Sequence, residues 1–294
     1  MRKVKVITDS CSDLNRELRE SYDLDYAKMN VVLDGEEKAA SLDWEEFSPQ
    51  DMYGMMREGK RVTSNMVPVP EFERIFEKYI SEGCDIVYVG CSSALSGSVN
   101  TGILVAKSME EKYPEAVICC VDALCSCTAE GILAIEASKL AKAGMGAREI
   151  AEELEKKKAY VNQIAVVGDL EYLKRAGRVT ASSAFFGNLF GVKPILISDA
   201  EGKNVPVKKV KGRKASLSEI VNMLKEAVTD PENTEIFVSH ADCAEEAEAV
   251  KKEIVEKIAP KAVHFDYIGP IIGASVGPGT VMLSAWGKKV DYVG

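Results

Sequence analysis

Short runs rich in Val and Ile recur between longer stretches with helical spacing, and this alternation restricts the fold more than any other feature of the chain. The runs are Val4–Ile7, Ile86–Gly90, Val117–Val121, Ile164–Val167, Pro194–Ile197, Val205–Val210, Glu235–Val238 and Ala262–Tyr267. Their apolar residues are mostly contiguous rather than alternating. That is the pattern of strands covered on both faces, as when helices cross over a parallel sheet. Between them, Ser48-Pro49-Gln50-Asp51 reads as a helix start, with Ser as N-cap, Pro in the first turn and an acid at N3. Glu71–Glu82 stops at Gly83, and Ala-rich Thr128–Ala143 stops at Gly144; Ala147–Lys158 and Ala244–Ile258 are amphipathic.

The first half therefore predicts a larger, doubly wound α/β domain with a mostly parallel sheet over residues 1–165. Beyond about residue 165 the order changes. A strand pair around the turn Asp199-Ala200-Glu201-Gly202 predicts a smaller, mixed α+β domain over 166–294. No Pro/Gly/Ser-rich linker separates the two, so they should pack closely. No fixed-period repeat or low-complexity segment interrupts them.

Composition excludes several classes. A 294-residue chain with 46% hydrophobic residues can build a large core, and a net charge of −9 argues against nucleic acid as a partner. No apolar run nears the roughly 18–20 residues of a spanning helix. The opening Met1–Ile7 meets Thr8-Asp9-Ser10 too soon for a secretory signal, so a cytoplasmic protein with reduced thiols is expected. The eight cysteines form no C-x-x-C pair and only two histidines are present, so a zinc site is not expected. Cys125-Ser126-Cys127 is a candidate redox pair, against the plainer reading of small buried hydrophobes.

Familiar catalytic signatures are missing as well. There is no G-x-x-x-x-G-K-[ST] and no G-x-G-x-x-G after a strand. Asp9 could be an aspartyl nucleophile, but Cys11 stands where a second Asp would act as general acid. What stands out is hydroxyls in turns: Thr8-Asp9-Ser10-Cys11-Ser12, Val62-Thr63-Ser64-Asn65, and Cys91-Ser92-Ser93-Ala94-Leu95-Ser96-Gly97-Ser98. In a parallel sheet the loops at strand C-ends share one edge, where hydroxyls and helix N-terminal amides could bind a carboxylate or phosphate without a lysine. Helix capping explains any one of these residues equally well. The apolar, aromatic stretch Ala184–Pro194 suits a pocket wall or plain core. Lys208, Lys209, Lys211, Arg213 and Lys214 form a basic cluster that suits an acidic partner or a solvated strand end. Ile268–Thr280 carries four Gly and two Pro, as for close backbone approach.

Taken in order, the segments ITDSCSDL (Ile7–Leu14), VTSN (Val62–Asn65), CSSALSGSVNTG (Cys91–Gly102), DLEYLKRAGRV (Asp169–Val179), GNLFGVKPIL (Gly187–Leu196), VSHAD (Val238–Asp242) and IGPIIGASVGPGT (Ile268–Thr280) resemble the DegV family of bacterial fatty-acid-binding proteins. The resemblance covers nearly the whole chain. It implies one long-chain fatty acid, such as palmitate, bound in an apolar tunnel between two domains, for lipid transport or fatty acid metabolism. It implies no catalysis and no cofactor. It assigns the carboxylate to Thr63 and Ser96, with Gly97 and Ser275 as further candidates. It also implies an ATP-binding fatty acid kinase subunit as partner, which Lys211 and Arg213 could meet, and leaves room for transient membrane contact. Three departures stand out: Thr63-Ser64-Asn65-Met66-Val67 replaces a TSQPS-type segment, Ser275 stands where His is frequent, and Lys211 where Arg is frequent. The alternative from the residues alone is a hydrolase or phosphotransferase working on a small acyl or phosphorylated substrate at the strand-end edge. No nucleophile–base motif supports it.

Overall fold

A computed structural model describes residues 2–180 and 191–294. Most of the apolar stretch expected to line a pocket (184–190) and the front of the GNLFGVKPIL segment lie outside these residues.

Three sheets organise the described chain. The first is fully parallel: β1 (Lys3–Asp9), β2 (Leu24–Ala27), β6 (Cys84–Gly90) and β7 (Ile118–Asp122), in the order β2-β1-β6-β7. A small antiparallel sheet holds β3 (Asn30–Leu33), β4 (Glu36–Ala39) and β5 (Val62–Asn65), in the order β4-β3-β5. The third is mixed and six-stranded: β8 (Val161–Val166), β9 (Val192–Ser198), β10 (Asn204–Lys211), β11 (Glu235–His240), β12 (Ala262–Tyr267) and β13 (Val281–Trp286). Its order is β10-β9-β8-β13-β11-β12, and only β11–β12 is parallel. The strand that opens this sheet, β8, runs across residue 165.

Ten helices are described: α1 (Arg16–Ser21), α2 (Pro49–Arg57), α3 (Val69–Ser81), α4 (Ser98–Lys112), α5 (Cys127–Lys142), α6 (Ala147–Lys157), α7 (Leu170–Ala176), α8 (Arg213–Ala227), α9 (Ala244–Ile258) and α10 (Pro270–Val276). The start read at Ser48 is a complete capping box. The Ser48 hydroxyl accepts from Asp51 N at 3.1 Å, and the Asp51 carboxylate accepts from Ser48 N at 3.1 Å. Such a cap contributes about 1 kcal/mol. No described helix is long and apolar enough to cross a membrane.

Two expectations need correction. Val62–Asn65 is not a turn but strand β5, paired antiparallel to β3. The Gly-rich segment Ile268–Thr280 is not all loop, because Pro270–Val276 forms α10. Gly273 sits inside that helix since a Cβ there would fall 2.3 Å from the Tyr53 hydroxyl oxygen, so only hydrogen lets α10 pack on α2. Two members of the basic cluster, Lys208 and Lys209, lie on an edge strand, in keeping with a solvated strand end. β10 lies at one edge of the mixed sheet, carries Pro206 with a register shift between Pro206 and Lys208, and exposes Lys208 and Lys209. Proline, a bulge and lysines are devices that stop an edge strand from pairing with another chain.

Side chains tie the parallel sheet's loops to the mixed sheet. Ser92 Oγ donates to Gly202 O at 2.8 Å, Gln163 Oε1 accepts from Ser126 N at 2.9 Å, and Tyr53 OH donates to Ile268 O at 2.7 Å. Arg57 and Asp242 form an ion pair on the same face. With these bonds in place, the C-terminal edge of the parallel sheet faces the mixed sheet across a short gap.

Candidate functional site

In the strand order β2-β1-β6-β7 the chain leaves β1 for β2 on one side, then returns to β6 on the other. The point between β1 and β6 is thus a topological switch, where the following loops diverge and leave a crevice. A cavity of about 540 Å³ opens there. Cys11, after β1, and Cys91, after β6, form part of its floor. Ala165, Leu196 and Met282 come from β8, β9 and β13 of the facing sheet, and Ile271, Ile272 and Val276 from α10. The volume falls in the range of ordinary small-molecule sites, which are mostly apolar with a few polar groups.

A second cavity, of about 470 Å³, shares Ser64, Arg178 and Ser275 with the first. Its character differs. Thr63 lies here beside Lys60, Arg61 and Arg175, with Tyr172 and α10 closing one side. The two spaces thus pair a mostly apolar chamber, whose wall also carries polar groups such as Glu37 and Gln163, with a cationic, hydroxyl-bearing one. Such a pairing suits an amphiphile with an anionic end.

The predicted carboxylate residues are distributed over both. Ser96 and Gly97 line the first cavity, Thr63 the second, and Ser275 borders both. Ser96 Oγ shares a 3.0 Å hydrogen bond with Ser98 Oγ and accepts from Ser98 N at 3.3 Å, which fixes it at the start of α4. The hydroxyls of Thr63 and Ser275 make no side-chain hydrogen bond among the described residues and are available to a ligand. Lys211 and Arg213 line neither cavity. Arg213 is drawn inward: its guanidinium pairs with Glu246 at 2.8 Å and donates to Gly279 O at 2.5 Å.

Most hydroxyls of the first turn do not reach the cavity, and that corrects the expected convergence. Thr8 Oγ1 donates to Glu130 at 2.7 Å, and Ser10 Oγ donates to Ala40 O at 2.8 Å while accepting from Met29 N at 3.0 Å. Both are fully buried, and of this turn only Cys11 faces the cavity. Asp9 is equally sealed. Its carboxylate accepts from Tyr88 OH at 2.7 Å, Cys11 N at 2.8 Å and Cys91 N at 3.3 Å. Burial pushes its pKa up, against these donors. This side chain joins the loops after β1 and β6, and as placed it has no exposed oxygen with which to attack a substrate. Cys125 and Cys127 are free, buried thiols, and burial raises both pKa values, the reverse of a reactive redox pair.

Sequence reasoning missed Arg178, Arg61 and Met282. Arg178 follows α7 just after Gly177, and its Nε donates to Leu95 O at 3.2 Å, linking the two cavities' walls. Its position inside the DLEYLKRAGRV segment was the available signal.

Comparison with known proteins gives a consistent picture. Residues 3–288 match the DegV family model. A DegV domain-containing protein of Clostridium perfringens is 34% identical over 281 residues, 96% of each chain. A DegV family protein from Thermus thermophilus, whose solved structure is described for its fatty acid binding, is 25% identical with a TM-score of 0.87, covering 98% of this chain and 100% of its own. DegV from Bacillus subtilis, described as a fatty acid binding protein, is 27% identical with a TM-score of 0.83, again over 98% and 100%.

Proposed function

The chain belongs to the DegV family, and from that premise we propose that it binds one long-chain fatty acid and carries it without chemistry of its own. The observation that carries this reading is the mostly apolar 540 Å³ cavity at the switch point, opening toward a cationic space across Ser64, Arg178 and Ser275. Similarity to proteins described as binding fatty acids supports it.

The tail supplies the affinity. Burying about 14 methylenes at about 0.8 kcal/mol each gives roughly 11 kcal/mol gross, before ordering costs. The carboxylate goes where the cavities meet, within reach of Thr63 and Ser275, with Ser96 and Gly97 bounding it from the α4 side. Hydroxyls orient the head group, and Arg178 at the junction supplies the countercharge. An ATP-binding kinase subunit that phosphorylates the presented carboxylate fits the same reading. In that case Lys211 is the better contact of the two basic candidates, because Arg213 already serves Glu246 and Gly279. The carrier would work in the cytoplasm.

Native mass spectrometry tests the proposal. The purified protein should carry a C14–C18 acid, and the delipidated protein should take up one palmitate. Protein that purifies empty and ignores added palmitate would refute it.

A further inference from the structure

At the floor of the 540 Å³ cavity lies a cluster of metal-ligating side chains to which the fatty acid proposal gives no role. We propose that Cys11, Cys91 and Glu130 form a binding site for one thiophilic divalent cation of the Zn2+ class, with Met29 as a soft neighbour. Three separate elements supply the ligands: the loop after β1, the residue that follows β6, and the first turn of α5. Because the residues are so far apart in sequence, no spacing motif announces them.

The geometry has four parts. The two Sγ atoms and a Glu130 carboxylate oxygen all lie within 4.8 Å of one another. That is the scale of one coordination sphere, in which bonds of about 2.3 Å to sulfur and about 2.1 Å to oxygen meet at the ion. Glu130 is fully buried and fixed: Oε1 accepts from Thr8 Oγ1 at 2.7 Å, while Oε2 is buried with no hydrogen-bond partner. A buried carboxylate oxygen without a donor is costly and rare, and a cation would satisfy it. Met29 Sδ lies 3.4 Å from Cys11 Sγ. Thr8 plays the part of the outer partner that orients a metal-binding carboxylate.

Charge and access agree with this arrangement. Asp9 stands next to the cluster with both its oxygens taken by hydrogen bonds, so it contributes field rather than a bond. Cys11, Cys91 and Met29 all face the 540 Å³ cavity, which is the path in. Two thiolates select Zn2+ over Mg2+ or Ca2+.

Reduced, chelator-treated protein should bind one Co2+ per chain with a thiolate charge-transfer band in the near ultraviolet. Zn2+ should displace it and Mg2+ should not. Binding should release about two protons or more per ion. Cys11→Ser and Cys91→Ser should each weaken Zn2+ binding at least about tenfold and shrink the band. Glu130→Gln should weaken binding and leave the band, while Cys243→Ser should change neither. A wild-type protein that binds Co2+ with no charge-transfer band and no proton release would overturn the proposal, as would a band that persists in the Cys11→Ser/Cys91→Ser double variant. The wild-type readouts hold even if a variant fails to fold. Nothing here depends on a bound fatty acid, so the two proposals fail separately.

Discussion

Ala165→Phe should turn the protein into a selector of shorter acids. Ala165 sits on β8, registered opposite Leu196 on β9 and Met282 on β13, and all three line the 540 Å³ cavity. A phenyl ring added at this point projects into space that the proposal reserves for the tail. If the ring takes the room of roughly four methylenes, palmitate loses about 3 kcal/mol at about 0.8 kcal/mol per methylene. That is roughly a 200-fold weaker Kd. An acid four carbons shorter keeps the contacts it had, so its affinity should barely move. Isothermal titration across C8–C18 acids would show the optimum shifted down by about four carbons. Thermal unfolding of the ligand-free variant checks the alternative, because forcing a ring into packed core costs about 1–3 kcal/mol instead. A loss of equal size at every chain length, or no loss for palmitate, would mean that the tail does not lie along this wall.

Thr63→Val should cost about 1.5–3 kcal/mol in palmitate binding if its hydroxyl meets a charged group, and little for the methyl ester; equal losses for acid and ester would remove Thr63 from the head-group site. Gly277→Ala should destabilise the fold by more than about 1 kcal/mol in urea unfolding, since Gly277 has φ +74° and a Cβ would lie 2.2 Å from the Tyr172 ring. Asp13 is buried and its pKa is pushed up to about 8, chiefly by desolvation, so the folded state keeps a proton that the unfolded chain releases near pH 4. Its contribution to stability is complete below about pH 4 and is lost as pH rises toward 8. Asp13→Asn should flatten that part of the decline in urea unfolding between pH 5 and pH 8, and an unchanged slope would contradict the assignment.

Physical chemistry explains which features the chain disclosed. Strands such as Ile86–Gly90 and Ala262–Tyr267 announced themselves because their apolar residues are contiguous. β4 (Glu36–Ala39) reads Glu-Glu-Lys-Ala, and three of its four residues are polar, so no period was available. β5 reads Val-Thr-Ser-Asn for the same reason, and its strand pairing with β3 is what decides its conformation. α10 was hidden by glycines that serve packing rather than turns. At the site, the sequence disclosed that hydroxyls gather near strand ends, but not their direction. Ser10 and Ser92 satisfy carbonyls of neighbouring segments instead of facing the cavity, because those buried backbone groups need partners. Cys11, Cys91 and Glu130 meet only through the tertiary fold.

Anomalous diffraction from a crystal of the protein with 16-bromopalmitate tests the central claim most directly. The account predicts one bromine peak inside the chamber walled by Ala165, Leu196 and Met282, with carboxylate density where Ser64, Arg178 and Ser275 border both cavities. Bromine on the surface, or in the cationic space beside Arg61 and Arg175 with the carboxylate pointing inward, would contradict it.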